Sequence, residues 1–200
     1  MATTKVGLFD EFTQADRAVQ VLVGSGFSAE DISLLTHDSN AEAGSTGGVK
    51  GNAPVVEAGG ILSELGNIIR GRLTVVVPAI GLLVAVGPLA SALARTTLGT
   101  PACGLLEALT AIGISEAYGG DYADGVRRGG TLVAVRTTDR LADRAEDILK
   151  IHKAVDMQKR AARWRHGGWV TFTPQADPFS FEERTREHEI AGTEHQVYPR

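Results

Sequence analysis

Ala15-Asp16-Arg17-Ala18 follows the apolar run Lys5-Val6-Gly7-Leu8-Phe9, and Ala142-Asp143-Arg144-Ala145 follows Thr131-Leu132-Val133-Ala134-Val135. Each tetrapeptide opens a helical stripe, and a second short apolar run comes after each stripe, so both ends of the chain read strand, helix, strand. In the first copy Val6 and Leu8 alternate at the two-residue period of a strand, and Thr13 with Asp16 makes a capping-box-like helix start. Ala15, Ala18, Val19, Leu22 and Val23 share one helical face, Gly24 and Gly26 end the helix, and Ile32 and Leu34 resume the alternation. In the second copy Asp139 reads as the N-cap, Leu141, Ala145, Ile148 and Leu149 repeat the stripe, and Val155 and Met157 mark a closing strand.

Two such units pack most simply as one four-stranded antiparallel sheet with two helices on one face. The expected fold class is α+β with a ferredoxin-like split βαβ core. Its order is strand 4–10, helix 13–24, strand 31–36, strand 131–137, helix 139–151 and strand 154–159. Residues 1–37 and 131–160 are the halves of that core, 38–130 a Gly-rich apolar helical insert between its second and third strands, and 161–200 a C-terminal arm.

The insert opens with a Gly-, Ser- and Asn-rich stretch, Asp38 to Gly51, expected to be flexible. From Leu73 to Ala94 it carries no charged residue, which is long enough to span a bilayer. A single crossing would leave the two halves of the sheet on opposite sides of a membrane, where they could not pair. Pro78 and Pro88 also break the run, favouring an extended segment from Thr74 to Ile80 and a short helix from about Leu89. The insert is therefore expected to be buried or self-associating, with a membrane-seated hairpin as the alternative. Beyond it, Ser115 is placed to cap a helix from Glu116 to Arg128, with Arg127 and Arg128 at its cation-favouring end and Gly129-Gly130 as the stop. In the arm, Trp169 to Thr173 reads as a strand and Phe179 to Ile190 as a charged helical segment.

With 200 residues, 21.1 kDa and 43% hydrophobic residues, one main domain is expected. The net charge of −4 is unevenly spread. Residues 1–60 hold 3 basic against 8 acidic side chains, 61–170 hold 14 against 10, and 171–200 hold 3 against 6. Such poles favour self-association over binding of a polyanion, so no nucleic-acid partner is expected. Cys103 is the sole cysteine, which excludes a disulfide within the chain; its apolar neighbours suggest a buried, inert thiol. The N-terminal residues show no secretory pattern, and the expected location is cytoplasmic, with the periphery of the inner membrane as the alternative.

No motif carries a reaction. Gly24-Ser25-Gly26-Phe27-Ser28-Ala29 superficially matches a dinucleotide fingerprint, but here a helix precedes the glycines and a strand follows, the reverse of what phosphate binding requires. His188 and His195, with Glu182, Glu183, Glu187, Glu189 and Glu194, concentrate metal-type ligands at no recognised spacing and read as a solvated acidic face. No catalytic, cofactor-binding or metal-binding residue is expected. Lys159, Arg160, Arg163 and Arg165, interleaved with Trp164 and Trp169, could contact an anionic partner such as a membrane surface. The plainer reading is a junction in which these cations meet the acidic first sixty residues or the acidic tail of another subunit.

The run Val6 to Asp10, the turn and strand Gly26 to Leu35, Pro78-Ala79-Ile80-Gly81, Ala85 to Ala90, and Gly125 to Val135 together resemble the bacterial general stress protein family of the heat-induced, YflT-like type. The likeness covers Lys5 to Lys159. It implies an intracellular, stress-associated protein with a glycine-rich apolar insert and no assigned catalytic machinery. Gly119-Gly120 departs from the more acidic, uninterrupted helix of the family.

The chain holds more apolar sequence than a four-stranded core can bury, and its arm is aromatic. The expected function is thus a non-catalytic, stress-associated structural protein acting by homo-oligomeric self-assembly. Val75, Val77, Ile80, Leu82, Leu83, Val86, Leu89 and Leu93 are the expected adhesive surface, and Trp164, Trp169, Phe172, Phe179 and Phe181 the arm contacts. A peripheral membrane protein and a small-ligand-binding regulatory domain are the alternatives.

Overall fold

A computed structural model describes residues 2–37, 72–77, 80–96, 101–173, 176–180 and 182–187. The Asp38 to Gly51 stretch, Pro78, Phe181, His188, His195, Glu189 and Glu194 lie outside them. In chain order the elements are β1 (Ala2–Phe9), α1 (Phe12–Gly24), a 3-10 turn (Ala29–Asp31), β2 (Ile32–His37), β3 (Arg72–Val77) and β4 (Gly81–Val86). Then follow α2 (Pro88–Thr96), α3 (Pro101–Ala111), α4 (Glu116–Arg127), β5 (Thr131–Thr138), α5 (Asp139–Ile151) and α6 (Met157–His166), with a last helical segment over 182–187. The class is α+β, built on one antiparallel five-stranded sheet in the order β1-β5-β2-β4-β3.

The repeated tetrapeptide has a packing explanation. In α1 and α5 the alanines at both ends of the motif, Ala15, Ala18, Ala142 and Ala145, are buried, while Arg17, Asp143 and Arg144 face water. Residues three apart lie on one helical face, so a small residue at each position lets the helix sit close to the sheet. Both helices cover the same face of the sheet. Phe9, Ile32, Leu34, Val84, Val86, Val133 and Val135 meet Val19, Leu22, Ile148 and Leu149 there. β5 lies between β1 and β2, antiparallel to both.

The fourth core strand expected at 154–159 is absent. Asp156 instead caps α6, its side chain accepting from the Lys159 N–H, and the helix starts at Met157. Only Ala154 and Val155 pass along the outer edge of β1, where the Val155 N–H donates to the Leu8 carbonyl at 2.7 Å. Smaller expectations also fail: Thr138, not Asp139, caps α5, and Leu141 is 40% exposed and so lies off the buried stripe. α1 starts at Phe12 with Glu11 as N-cap and no side-chain capping bond, so Thr13 and Asp16 form no box, and Trp169 to Thr173 is coil, not strand.

The insert extends the sheet and covers its second face. Leu73 to Ala94 divides into β3, β4 and α2, where the sequence suggested one extended segment and one helix. The hairpin adds to β2 through β4, in the register Leu34↔Val86 to His37↔Leu83. Because side chains alternate across a strand, Leu8, Leu132, Leu35 and Ala85 form one row on the face opposite α1 and α5. α2, α3, α4 and α6 close over that row with Leu89, Leu93, Leu105, Leu109, Val126 and Trp164. The result is a sheet buried on both faces. Full burial of each such side chain contributes about 1.5–3 kcal/mol, so the apolar excess is absorbed within one chain.

Val77, Ile80, Leu83, Val86, Leu89 and Leu93 are each no more than 1% exposed. The expected adhesive surface is corrected accordingly: these six are core, and cannot touch another copy without unfolding. Val75 and Leu82 are half-buried on the outer hairpin. No helix among the described residues is long and apolar enough to cross a membrane.

Candidate functional site: an arginine and aromatic junction

α4 and its C-cap carry Asp121, Asp124 and Arg128 at spacings of three and four, which places them along one face. The side chain of Asp124 has no solvent exposure. It accepts from Arg128 Nε at 2.7 Å and Arg127 Nη1 at 3.4 Å. A buried carboxylate needs such partners, because an unpaired one would carry the full cost of lost hydration. Both arginines then reach outward to the chain beyond α6. Arg128 Nη1 donates to Glu187 at 2.9 Å, and Arg127 Nη2 donates to the Asp177 carbonyl at 2.6 Å.

Ring stacking completes the contact. The Arg127 guanidinium lies 4.5 Å from the Phe179 ring centroid, and that of Arg128 lies 4.6 Å from Trp164 and 5.2 Å from Phe179. Trp164 meets Trp169 edge to face at 5.7 Å. Guanidinium planes over aromatic faces contribute roughly 0.5–2 kcal/mol each as they lose water. The arm is therefore clasped in cis by the end of α4.

The basic residues singled out in the sequence divide into two groups. Arg160 makes a two-pronged pair with Asp10, at 2.6 and 3.0 Å, and Arg165 donates to Asp121 at 2.8 Å. Asp10 belongs to the acidic first sixty residues, so the plainer junction reading describes this contact. Lys159 is exposed and reaches Asp156 at 3.4 Å, and Arg163 is also exposed. Of the expected arm contacts, Trp164 and Phe172 are buried against the main core, Trp169 packs on its border and Phe179 is half-buried under the arginines. Phe181 and the Cys103 side chain lie outside the described residues.

Sequence reasoning passed over Asp10, Asp121 and Asp124, and took Arg127 and Arg128 only as helix-end cations. The i, i+3, i+4 spacing of acid and arginine on α4 was the available signal. Tyr122, beside this face, has its phenol pushed up to about 12, first by burial and then by the Asp121 carboxylate. Among the described residues no group of three His, Cys, Asp or Glu side chains is placed to hold a metal ion.

A groove of about 660 Å³ runs beside the junction, between α3, α4 and the coil after α6. Leu106, Trp169, Val170 and Phe172 line it with the backbone of Gly119 and Gly120, and Glu107 and Glu116 stand at its rim. The indole N–H of Trp169 is buried with no hydrogen-bond acceptor among the described residues.

Fold and junction together define an α+β protein whose single sheet is covered on both faces and whose C-terminal arm is fastened by buried arginine pairs. The chain matches no protein-family model, no curated protein and no solved structure.

Proposed function

We propose that this chain is a non-catalytic, stress-associated structural protein whose copies join through the outer strand of the sheet. The observation carrying this reading is β3. Among the described residues it pairs on one side only, with β4, and it holds no charge from Leu73 to Val77. Sheet edges in soluble proteins are ordinarily guarded by charges, proline or bulges, because their open N–H and C=O groups recruit further strands. Val76 is 48% exposed. An antiparallel pair of β3 strands from two copies sets Arg72 opposite Val77, so like charges never meet, and the contact repeats itself about a two-fold axis.

The non-catalytic part is supported by how the buried ionic groups are used: Asp10, Asp121 and Asp124 are each held by an arginine of the same chain. The stress association is supported by the sequence resemblance alone. The core itself reads as a ferredoxin-like arrangement in which the fourth strand has given way to α6 and a hairpin has been added beyond the second.

Light scattering of the full chain at micromolar concentration tests the proposal. The expected result is a dimer or higher assembly that Val76→Lys converts to monomer without a change in melting temperature. A monodisperse wild-type monomer sinks it, as does an assembly that the lysine leaves intact.

A further inference from the structure

We infer that the groove between α3, α4 and the arm is a binding site for a small organic cation, an amine carried on a flat apolar body. Three observations converge on it. The first is shape: about 660 Å³ falls within the range of small-molecule sites.

The second is the pair Gly119 and Gly120, set inside α4. A glycine in a helix interior is disfavoured against alanine, and the fold does not require either of these. A Cβ on Gly119 would meet only Leu106, at 3.8 Å, and one on Gly120 would meet Thr171 and Phe172 at ordinary contact distances of 3.6 and 3.7 Å. Neither residue has the left-handed backbone that favours glycine. What the missing side chains do provide is space, since both glycines line the groove.

The third is the chemistry of the walls. Trp169 offers half-buried aromatic surface, one part of it taken by the Arg165 guanidinium 5.4 Å from the ring centroid, and Val170, 82% exposed, leaves an apolar side chain open to water at the same place. The charges are of one sign after internal pairing. Arg165 is held by Asp121, whereas Glu107 and Glu116 have no ion-pair partner among the described residues. An apolar wall beside two carboxylates with no cation of their own among the described residues favours a cation over an anion or a neutral molecule of the same shape, through direct ion pairing. The groove and the β3 edge use different residues, so this inference stands apart from the assembly proposed above.

The probe is 2-phenylethylamine, compared with 2-phenylethanol and 3-phenylpropionate as neutral and anionic controls of similar shape. Titrations of the full chain are followed by tryptophan fluorescence and calorimetry, since Trp169 lines the groove. The amine is expected to saturate, and to bind about tenfold more tightly than the alcohol. Combining Glu107→Gln with Glu116→Gln is expected to erase that preference. Gly119→Ala with Gly120→Ala is expected to weaken the amine about tenfold while raising the melting temperature, which shows that the protein is folded and the space is what was lost. The inference is overturned if the amine fails to saturate, if the propionate binds as tightly as the amine, or if the double alanine variant binds as well as wild type.

Discussion

Arg128 donates through Nε to the carboxylate of Asp124 at 2.7 Å, and the carboxylate has no exposure to solvent. The pair turns a helix end into a clasp, because the same guanidinium stacks on Trp164 and reaches Glu187. Removing the acid takes the shared carboxylate from two arginines in a partly dry site, leaving Glu187 to Arg128 and the Asp177 carbonyl to Arg127. Asp124→Ala is therefore expected to lower stability by about 3–5 kcal/mol, in the range for breaking a buried pair. Chemical denaturation measures that, and limited proteolysis of the folded fraction should show cleavage beyond Trp169 that wild type resists. A loss under about 1 kcal/mol would mean that the junction is not held by this carboxylate.

Gly125 marks the closest approach of α4 to the sheet. A Cβ there would stand 2.6 Å from Leu8 Cδ2, inside any tolerable contact. Although alanine is the better helix former, Gly125→Ala is expected to destabilise by about 1–3 kcal/mol, because overpacking of a well-filled core outweighs propensity. The opposite sign is expected for Gly119→Ala and Gly120→Ala. Thermal melts of the single variants separate glycines needed for packing from those that leave space.

Leu83 and Leu89 test whether the apolar insert is core or adhesive. Both are fully buried within the chain. Leu83→Ala or Leu89→Ala is expected to cost about 2–5 kcal/mol as cavities form. An unchanged melt with loss of assembly would return these residues to an intermolecular surface.

Glu146 on α5 accepts from Lys150 and from Lys5 of β1, and these bonds hold its carboxyl well down, at about 2. A depressed carboxyl adds stability that is present above its ordinary value near 4.5 and is lost as the pH falls towards 2. Glu146 is partly exposed, so the effect is limited to about 0–1 kcal/mol. Glu146→Gln should be less stable than wild type at neutral pH, with the difference closing between pH 4.5 and 2 in acid denaturation curves.

Tyr122 makes the alkaline counterpart. Its phenol is pushed from 10.0 up to about 12, so the unfolded chain releases this proton first. Stability is thus expected to fall as the pH rises from 10 to 12, and Tyr122→Phe to remove that part of the loss. Ultraviolet titration should show one of the three tyrosines ionising late. Ordinary titration of all three would contradict the burial of Tyr122.

The elements that bury a repeating stripe were legible in the residues alone. The expected helix 139–151 has the same bounds as α5, and strands 31–36 and 131–137 match β2 and β5 within a residue, because side-chain period is a local property of the chain. The Ala-Asp-Arg-Ala repeat also told correctly that two helices share one face. The junction was half legible. Arginine and tryptophan stood out by type, and the spacing of Asp124 and Arg128 was a local signal, but Asp10 and Asp121 lie 150 and 44 residues from their arginines, and no local pattern names a distant acid.

What the chain determined by itself is thus its periodic segments and the surplus of apolar side chains they carry. Where that surplus went was decided by the tertiary structure. β4 pairs with β2, a strand more than forty residues earlier, and α2, α3, α4 and α6 then close the sheet's second face. The fourth core strand gave way for the same reason: α6 buries Met157, Ala161 and Trp164 over that face. Burial is non-directional, so an apolar run states how much surface must leave water and says nothing about which neighbour will cover it.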